Sequence, residues 1–260
     1  MLTCVPVSSR EQQKQAAREA RLAAERQEAA AARRRRRLGQ LGGIVLGAAA
    51  VVAVLVAISS KGGSTAPKVP AAQSTSLLSG LPQKGLTLGS AKAPLTLVEF
   101  NDMQCPICRD YMSNVFPTLV NKYVRTGKLR MQMQLQSFIG PDSVTAGKAV
   151  AAAAKQNRAW TFADIFYGHQ GQENSGYVTP DFVKSIAAAT PGLNHSQLLR
   201  DASAPAAGDT LKQGTNAFDT AGFSGTPSFL VGKTGGPLQP LNWSSLTPGQ
   251  FTSRINQLLA

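Results

Sequence analysis

Cysteine and histidine are scarce in this chain, with three cysteines and two histidines in 260 residues. A disulfide-stapled scaffold is denser in cysteine than that, and a structural zinc site takes about four ligands from Cys and His. Neither class fits, because Cys4 lies far from the others at the N-terminus and only His169 and His195 remain to complete a zinc site. Acidic residues are also few, 14 against 27 basic, giving a formal net charge of +13. That excess invites a nucleic-acid reading. Aromatic residues make up only 6% of the chain, however, and no basic stripe is interleaved with them as single-strand binding requires. Repeats are absent. No nucleic acid, no metal and no organic cofactor is expected.

What is present divides unequally along the chain. Residues 1–37 hold almost no core formers; they are rich in Ala, Arg, Gln and Glu and end in five consecutive arginines, Arg33 to Arg37. Residues 38–58 then give 21 positions without a charge, about the length a helix needs to span a bilayer. The arginines before the span and only Lys61 and Lys68 in the 25 residues after it set the orientation by the positive-inside rule. The reading is a cytoplasmic N-terminal segment (1–37), a transmembrane anchor (38–58) and an exported remainder, localised to the cell membrane as a single-pass protein. A cleaved signal peptide is the rival, but its basic region would be unusually long and no small-x-small cleavage site follows. Residues 59–84, with Gly62, Gly63, Pro67, Pro70 and Pro82 among Ser, Thr and Ala, read as a flexible linker. Cys4 reads as a free cytoplasmic thiol, with lipidation as the alternative.

The two remaining cysteines form Cys105-Pro106-Ile107-Cys108, directly after the apolar run Leu95 to Phe100. A disulfide closing so short a loop gains little stability. The same spacing at a strand-to-helix junction puts one thiol at the positive end of a helix, where its thiolate is favoured. Redox exchange is the preferred reading over a structural disulfide or a metal site. Glu99 precedes the pair within a strand that should be buried on both faces, where an unpaired carboxylate is expensive and its pKa rises; a solvated edge position is the bland alternative. Asp102 reads as a turn or cap residue.

Around the pair, Leu86 to Leu88 and Leu95 to Phe100 read as strands. A helix follows over residues 106–126, with Pro106 in its first turn, a kink at Pro117 and a stop at Gly127. Residues 128–138 alternate Leu129, Met131, Met133 and Leu135 against polar neighbours, a strand with one buried face. Helices are expected over 142–157, 160–170, 180–189, 195–203 and 206–221, between glycine and proline breaks. Trp160, Phe162, Phe166 and Tyr167 should form the core of that helical block, with His169 and His195 as surface or packing residues. Ser228 to Val231 reads as a strand, Thr234-Gly235-Gly236 as a hairpin turn, residues 238–243 as the return strand, and residues 248–259 as a closing amphipathic helix. Phe229 and Trp243 are expected in the core.

Strand, helix, strand, a helical block, a hairpin and a final helix is the order of a thioredoxin fold with a helical insertion. Val98-Glu99-Phe100-Asn101-Asp102 before the CxxC, and Gly225-Thr226-Pro227-Ser228-Phe229 long after it, resemble the DsbA-like thiol:disulfide oxidoreductases. The resemblance covers about residues 84–260. It implies an α/β domain at 85–260 with the insertion at about 141–221. It makes Cys105 the exchanging sulfur, Cys108 the buried resolving thiol and Glu99 their proton acceptor or donor. Pro106 and Ile107 would tune the couple, and a cis Thr226–Pro227 bond would face the cysteines and bind substrate. Ile107 departs from the family member with His between its cysteines, so a less acidic Cys105 and a less oxidising couple are expected. The implied activity is oxidation of reduced, exported proteins by a monomer that a membrane oxidase, such as a quinone-linked one, recharges. Isomerase or reductase activity and a non-catalytic, chaperone-like module are the alternatives.

Overall fold

The computed structural model describes residues 76–260. The expected cytoplasmic segment, the transmembrane span and most of the linker lie outside the described residues. Among the described residues no helix is long and apolar enough to cross a membrane.

A six-stranded sheet carries the fold, in the order β1-β2-β4-β3-β5-β6. Its centre is β3 (Leu95–Asp102), all eight of whose residues are buried. The two-sided burial covers the apolar Leu95, Leu97, Val98 and Phe100 and also encloses the polar Thr96, Glu99, Asn101 and Asp102. Parallel to it runs β4 (Leu129–Gln136), and β5 (Ser228–Lys233) pairs antiparallel on the other side. The outer strands are two residues each: β1 (Gln83–Lys84), β2 (Thr87–Leu88) and β6 (Gln239–Pro240). Residues 76–84 belong to the stretch expected from the sequence to be a flexible linker, 59–84. Here Leu78 is buried against the core and Gln83–Lys84 pairs with β2, because the short edge strand needs a partner for its backbone groups. The return strand at 238–243 shrinks to two residues, since Pro237 and Pro240 supply no N–H to a ladder.

One crossover differs from the sequence expectation. In place of a single kinked helix over 106–126, α1 (Pro106–Asn114) ends at Val115, a four-residue helix α2 (Phe116–Leu119) follows, and a π-helical turn covers Val120–Val124. Pro117 is the second residue of α2 and so sits where its missing N–H is harmless. Gly127 ends the segment at φ +72, with its N–H on Val124 O at 3.0 Å.

Five helices lie between β4 and β5: α3 (Pro141–Lys155), α4 (Ala159–Gly168), α5 (Pro180–Ala189), α6 (His195–Ser203) and α7 (Pro205–Thr220). This is the helical insertion. Pro141, Pro180 and Pro205 open three of them, and the Thr179 and Asn194 side chains cap α5 and α6. Trp160, Phe162, Phe166 and Tyr167 are all buried, so the core of the block is where the aromatic run placed it. Closing the chain, α8 (Pro248–Leu259) buries Phe251 and Ile255, with Leu258 and Leu259 only partly covered. Tyr111 of α1, Phe229 of β5 and Phe251 of α8 meet as an aromatic trio with ring centroids 4.7 to 5.5 Å apart.

Candidate active site

Parallel β3 and β4 end at the same edge of the sheet, and antiparallel β5 begins there. The loop after β3 and the loop before β5 therefore meet. Asp102, the last residue of β3, shapes the first of them: its Oδ1 accepts the Gln104 N–H at 2.9 Å, its Oδ2 accepts the Ile139 N–H at 3.3 Å, and its carbonyl accepts the Cys105 N–H at 3.0 Å. This is an Asx turn that delivers Cys105 to the start of α1.

Cys105 is the N-cap of α1, in extended conformation, with Pro106 at the first helical position. Its Sγ accepts the Cys108 N–H at 3.4 Å. The same sulfur lies 3.3 Å from the Thr226 carbonyl, to which the thiol donates. The Cys105 thiol is held well below its usual range, at about 6, chiefly by hydrogen bonding from the Cys108 side chain against the opposing effect of burial, with the Thr226 side chain and the Cys108 and Ile107 backbone adding to it. Cys105 is only 6% exposed and Cys108 is fully buried. Burial first, then the neighbouring Cys105, push the Cys108 thiol well up. At neutral pH one sulfur of the pair is thus a thiolate and the other a thiol. Ile107, by contrast, stands 47% exposed beside them.

The Thr226–Pro227 peptide is cis, and it brings the Thr226 carbonyl against Cys105. Glu99 sits in the middle of β3 between Met133 of β4 and Phe229 of β5. It is fully buried, and burial raises its carboxyl from 4.5 to about 8, partly offset by the Asn101 amide that donates to Oε1 at 2.9 Å. Its Oε2 and the hydroxyl of Tyr111 have no protein partner. Tyr111 and Tyr167 both feel the charges of Glu99 and Cys108, so these four groups share one buried region beneath the cysteines.

Of the seven residues singled out from the sequence, Cys105, Pro106, Ile107, Cys108, Thr226 and Pro227 lie in the segments that meet at this end of the sheet, while Glu99 sits further back within β3. Of the two histidines, His169 places Nδ1 2.9 Å from the Ile165 carbonyl and His195 opens α6. Trp243, read as core, is half-buried and donates from Nε1 to the Pro227 carbonyl at 3.3 Å. Several neighbours went unread. Tyr111 could have been found, being one helical turn past Cys108 on the same face. Tyr167, whose hydroxyl donates to the Asp102 carbonyl at 3.1 Å, and Gln170, which donates to the Met103 and Cys105 carbonyls, come from the insertion some 65 residues away in sequence and carry no local signal.

A thioredoxin-fold sheet with a dithiol at a helix N-terminus, one thiol acidic and one buried, defines a protein of dithiol-disulfide exchange. Comparison with known proteins makes the class particular. The chain belongs to the thioredoxin superfamily, among its DsbA-like thiol:disulfide oxidoreductases: the family model described as thioredoxin matches residues 82–245. A curated relative from Bacillus cereus, "Probable disulfide bond formation protein D", is 29% identical over 148 residues, 56% of this chain and 68% of its own. Two solved structures share the fold. Oxidised BdbD from Bacillus subtilis superposes at a TM-score of 0.59 with 20% identity, covering 69% of this chain and 97% of that one. Wolbachia pipientis alpha-DsbA1 gives 0.58 with 21% identity over 72% and 96%.

Proposed function

We propose that this chain is a membrane-anchored, extracytoplasmic oxidase that makes disulfides in reduced, exported proteins. The observation that carries the reading is the asymmetry of the pair, with Cys105 acidic at about 6 and Cys108 buried and held as the thiol. In the oxidised state a substrate thiolate attacks Cys105 Sγ. The Cys105–Cys108 bond breaks, a substrate–Cys105 mixed disulfide forms, and Cys108 leaves as a thiolate. Glu99, protonated at neutral pH, supplies the proton that Cys108 needs. The second substrate thiolate then attacks the substrate sulfur of the mixed disulfide. Cys105 departs as a stable thiolate, and two electrons have passed from substrate to enzyme. A low thiolate pKa stabilises the reduced enzyme, which is what makes such a couple oxidising.

Thr226 and Pro227 face Cys105 and would hold an extended substrate segment by backbone pairing, while the exposed Ile107 gives that segment an apolar contact. Because the Ile107 side chain can neither donate a hydrogen bond nor carry charge, only its backbone helps the thiolate. The couple is accordingly less oxidising than that of the family member with His there. Regeneration requires a membrane oxidase, for which a quinone-linked enzyme is the natural electron acceptor. The arginine-flanked span at 38–58 supports the localisation, the disulfide-formation role named for the B. cereus relative supports the direction of flow, and a monomer suffices for the chemistry. Residues 59–84 are too short to add a dimerisation domain of the kind an isomerase would use.

The test is oxidative refolding of a reduced, disulfide-requiring protein by the full chain in detergent, wild type against Cys105→Ser. The wild type should accelerate refolding and the variant should fall to the uncatalysed rate. Equal rates would overturn the reading. Preferential action on a scrambled, already oxidised substrate would replace oxidase by isomerase.

A further inference from the structure

The turn that presents Cys105 is held from behind by the helical insertion, through hydrogen bonds to each of its backbone carbonyls except that of Gln104. Tyr167 of α4 donates to the Asp102 carbonyl at 3.1 Å, and Gln170, two residues past the end of α4, donates from one amide nitrogen to the Met103 carbonyl at 2.8 Å and the Cys105 carbonyl at 3.1 Å. The Gln104 side chain reaches the other way: its Oε1 accepts the Asn174 N–H at 2.7 Å and its Nε2 donates to Ser143 Oγ at 3.0 Å.

Gln170 differs from the rest of this clasp in touching the nucleophile's own residue. Two carbonyls face its nitrogen, and carbonyls only accept, so the amide orientation is fixed. Its oxygen is buried without a protein partner. An orphaned buried acceptor is unfavourable, and the site therefore keeps this residue for its two donors. The Cys105 carbonyl already accepts the Arg109 N–H at 3.2 Å as the first rung of α1. A second donor there withdraws negative charge from an oxygen in the same residue as the thiolate, and it locks the rotation that aims the Cys108 N–H at Sγ.

We propose that Gln170 is a positioning residue through which the helical insertion sets how readily the Cys105 thiol ionises. The inference rests on the reading of Cys105 as the exchanging sulfur. Other titratable groups near it are Cys108 and Tyr111 on α1, Glu99 and Asp102 on β3, and Tyr167 on α4. All are retained when Gln170 alone is changed.

The experiment titrates thiolate absorbance of the reduced full chain for wild type, Gln170→Met and Gln170→Glu, alongside the reduction potential against glutathione. Methionine keeps the volume and removes both donors; the Cys105 pKa should rise by about one unit, roughly tenfold in the thiolate-to-thiol ratio. Glutamate keeps the shape and adds a charge, so its rise should be larger, and both couples should become less oxidising. Folded variants that keep the wild-type pKa and potential would make Gln170 a structural residue only and overturn the proposal. A wild-type measurement guards against variants that fail to fold: the side-chain amide resonance of Gln170 should shift with the midpoint of the Cys105 titration, and an amide blind to it would equally overturn the proposal. Neither readout uses a protein substrate. A chain inactive in refolding but with the shifted pKa in Gln170→Met would sink the oxidase reading and leave this one standing.

Discussion

At the scale of single residues, the site separates two groups that would ordinarily behave alike. Two thiols three positions apart differ because one caps a helix and the other lies inside it. Glu99 is the third member of that arrangement, and its burial has a sign that can be measured. Its folded carboxyl, at about 8, lies above the unfolded value of 4.5. The unfolded chain therefore loses the proton first as pH rises, and the native state is progressively disfavoured above pH 4.5. Glu99→Gln should remove that penalty, stabilising the reduced protein by about 3 kcal/mol at pH 7 and by almost nothing at pH 4. Denaturant unfolding at the two pH values checks it. The same variant cannot give up or take a proton, so release of Cys108 should slow by about tenfold or more, seen as slower formation of the mixed disulfide with a monothiol substrate. A variant less stable at pH 7, with undiminished turnover, would mean that Glu99 is a packing residue with a solvated partner.

At the scale of elements, what positions the site is the contact of α7 with β4 and of the insertion with the cysteine turn. Gly214 of α7 lies against the backbone of Leu135, and a Cβ there would collide with the Leu135 carbonyl oxygen. Gly to Ala inside a helix ordinarily gains about 0.5–1 kcal/mol. Gly214→Ala should reverse that sign and destabilise by about 2 kcal/mol, because backbone must move to admit it, whereas Gly208→Ala in the same helix meets only the end of Lys148 and should stabilise. Thermal melts of the two variants decide the matter. Close approaches of this kind leave no mark in the sequence, where both glycines look alike. The fold itself was legible because its signals are local: the alternation at Leu129 to Leu135, the glycine and proline breaks between the helices of the insertion, and the apolar strand before the cysteines. The candidate site residues could be singled out in part for the same reason: the CxxC follows a strand, and Glu99 is a lone charge between apolar neighbours, while Thr226 and Pro227 were marked by the family resemblance. The break at Val115 was not legible, because Pro117 looks the same whether it kinks a helix or begins the next one. Nor were Tyr167 and Gln170, whose meaning comes from packing across 65 residues of intervening chain.

At the scale of the whole molecule, buried acids and the acidic thiol pull stability in opposite directions with pH. Glu99 is joined by Asp164 of α4, which burial raises from 3.8 to about 7 and whose Oδ2 has no protein partner. Both carboxyls have folded pKa values above their unfolded ones, so the native state binds more protons than the unfolded chain, and stability falls as pH rises from about 4 to 8. Cys105 does the reverse. Its folded pKa, about 6, lies below the ordinary 9, so its contribution is absent below pH 6, grows above it, and is complete only above the unfolded value. That contribution belongs to the reduced protein alone, because a disulfide sulfur carries no proton. The oxidised chain should therefore lose stability steadily from pH 4 to 8, while the decline of the reduced chain flattens above about pH 6. Urea unfolding of both redox forms at pH 5, 6, 7 and 8 measures it. Curves that run parallel across the range would mean that the Cys105 thiolate is no more stable in the fold than out of it, and the driving force for passing a disulfide to substrate would have to come from elsewhere. Curves that diverge only above pH 6 tie the redox direction of the molecule to the single helix N-terminus that begins at Cys105.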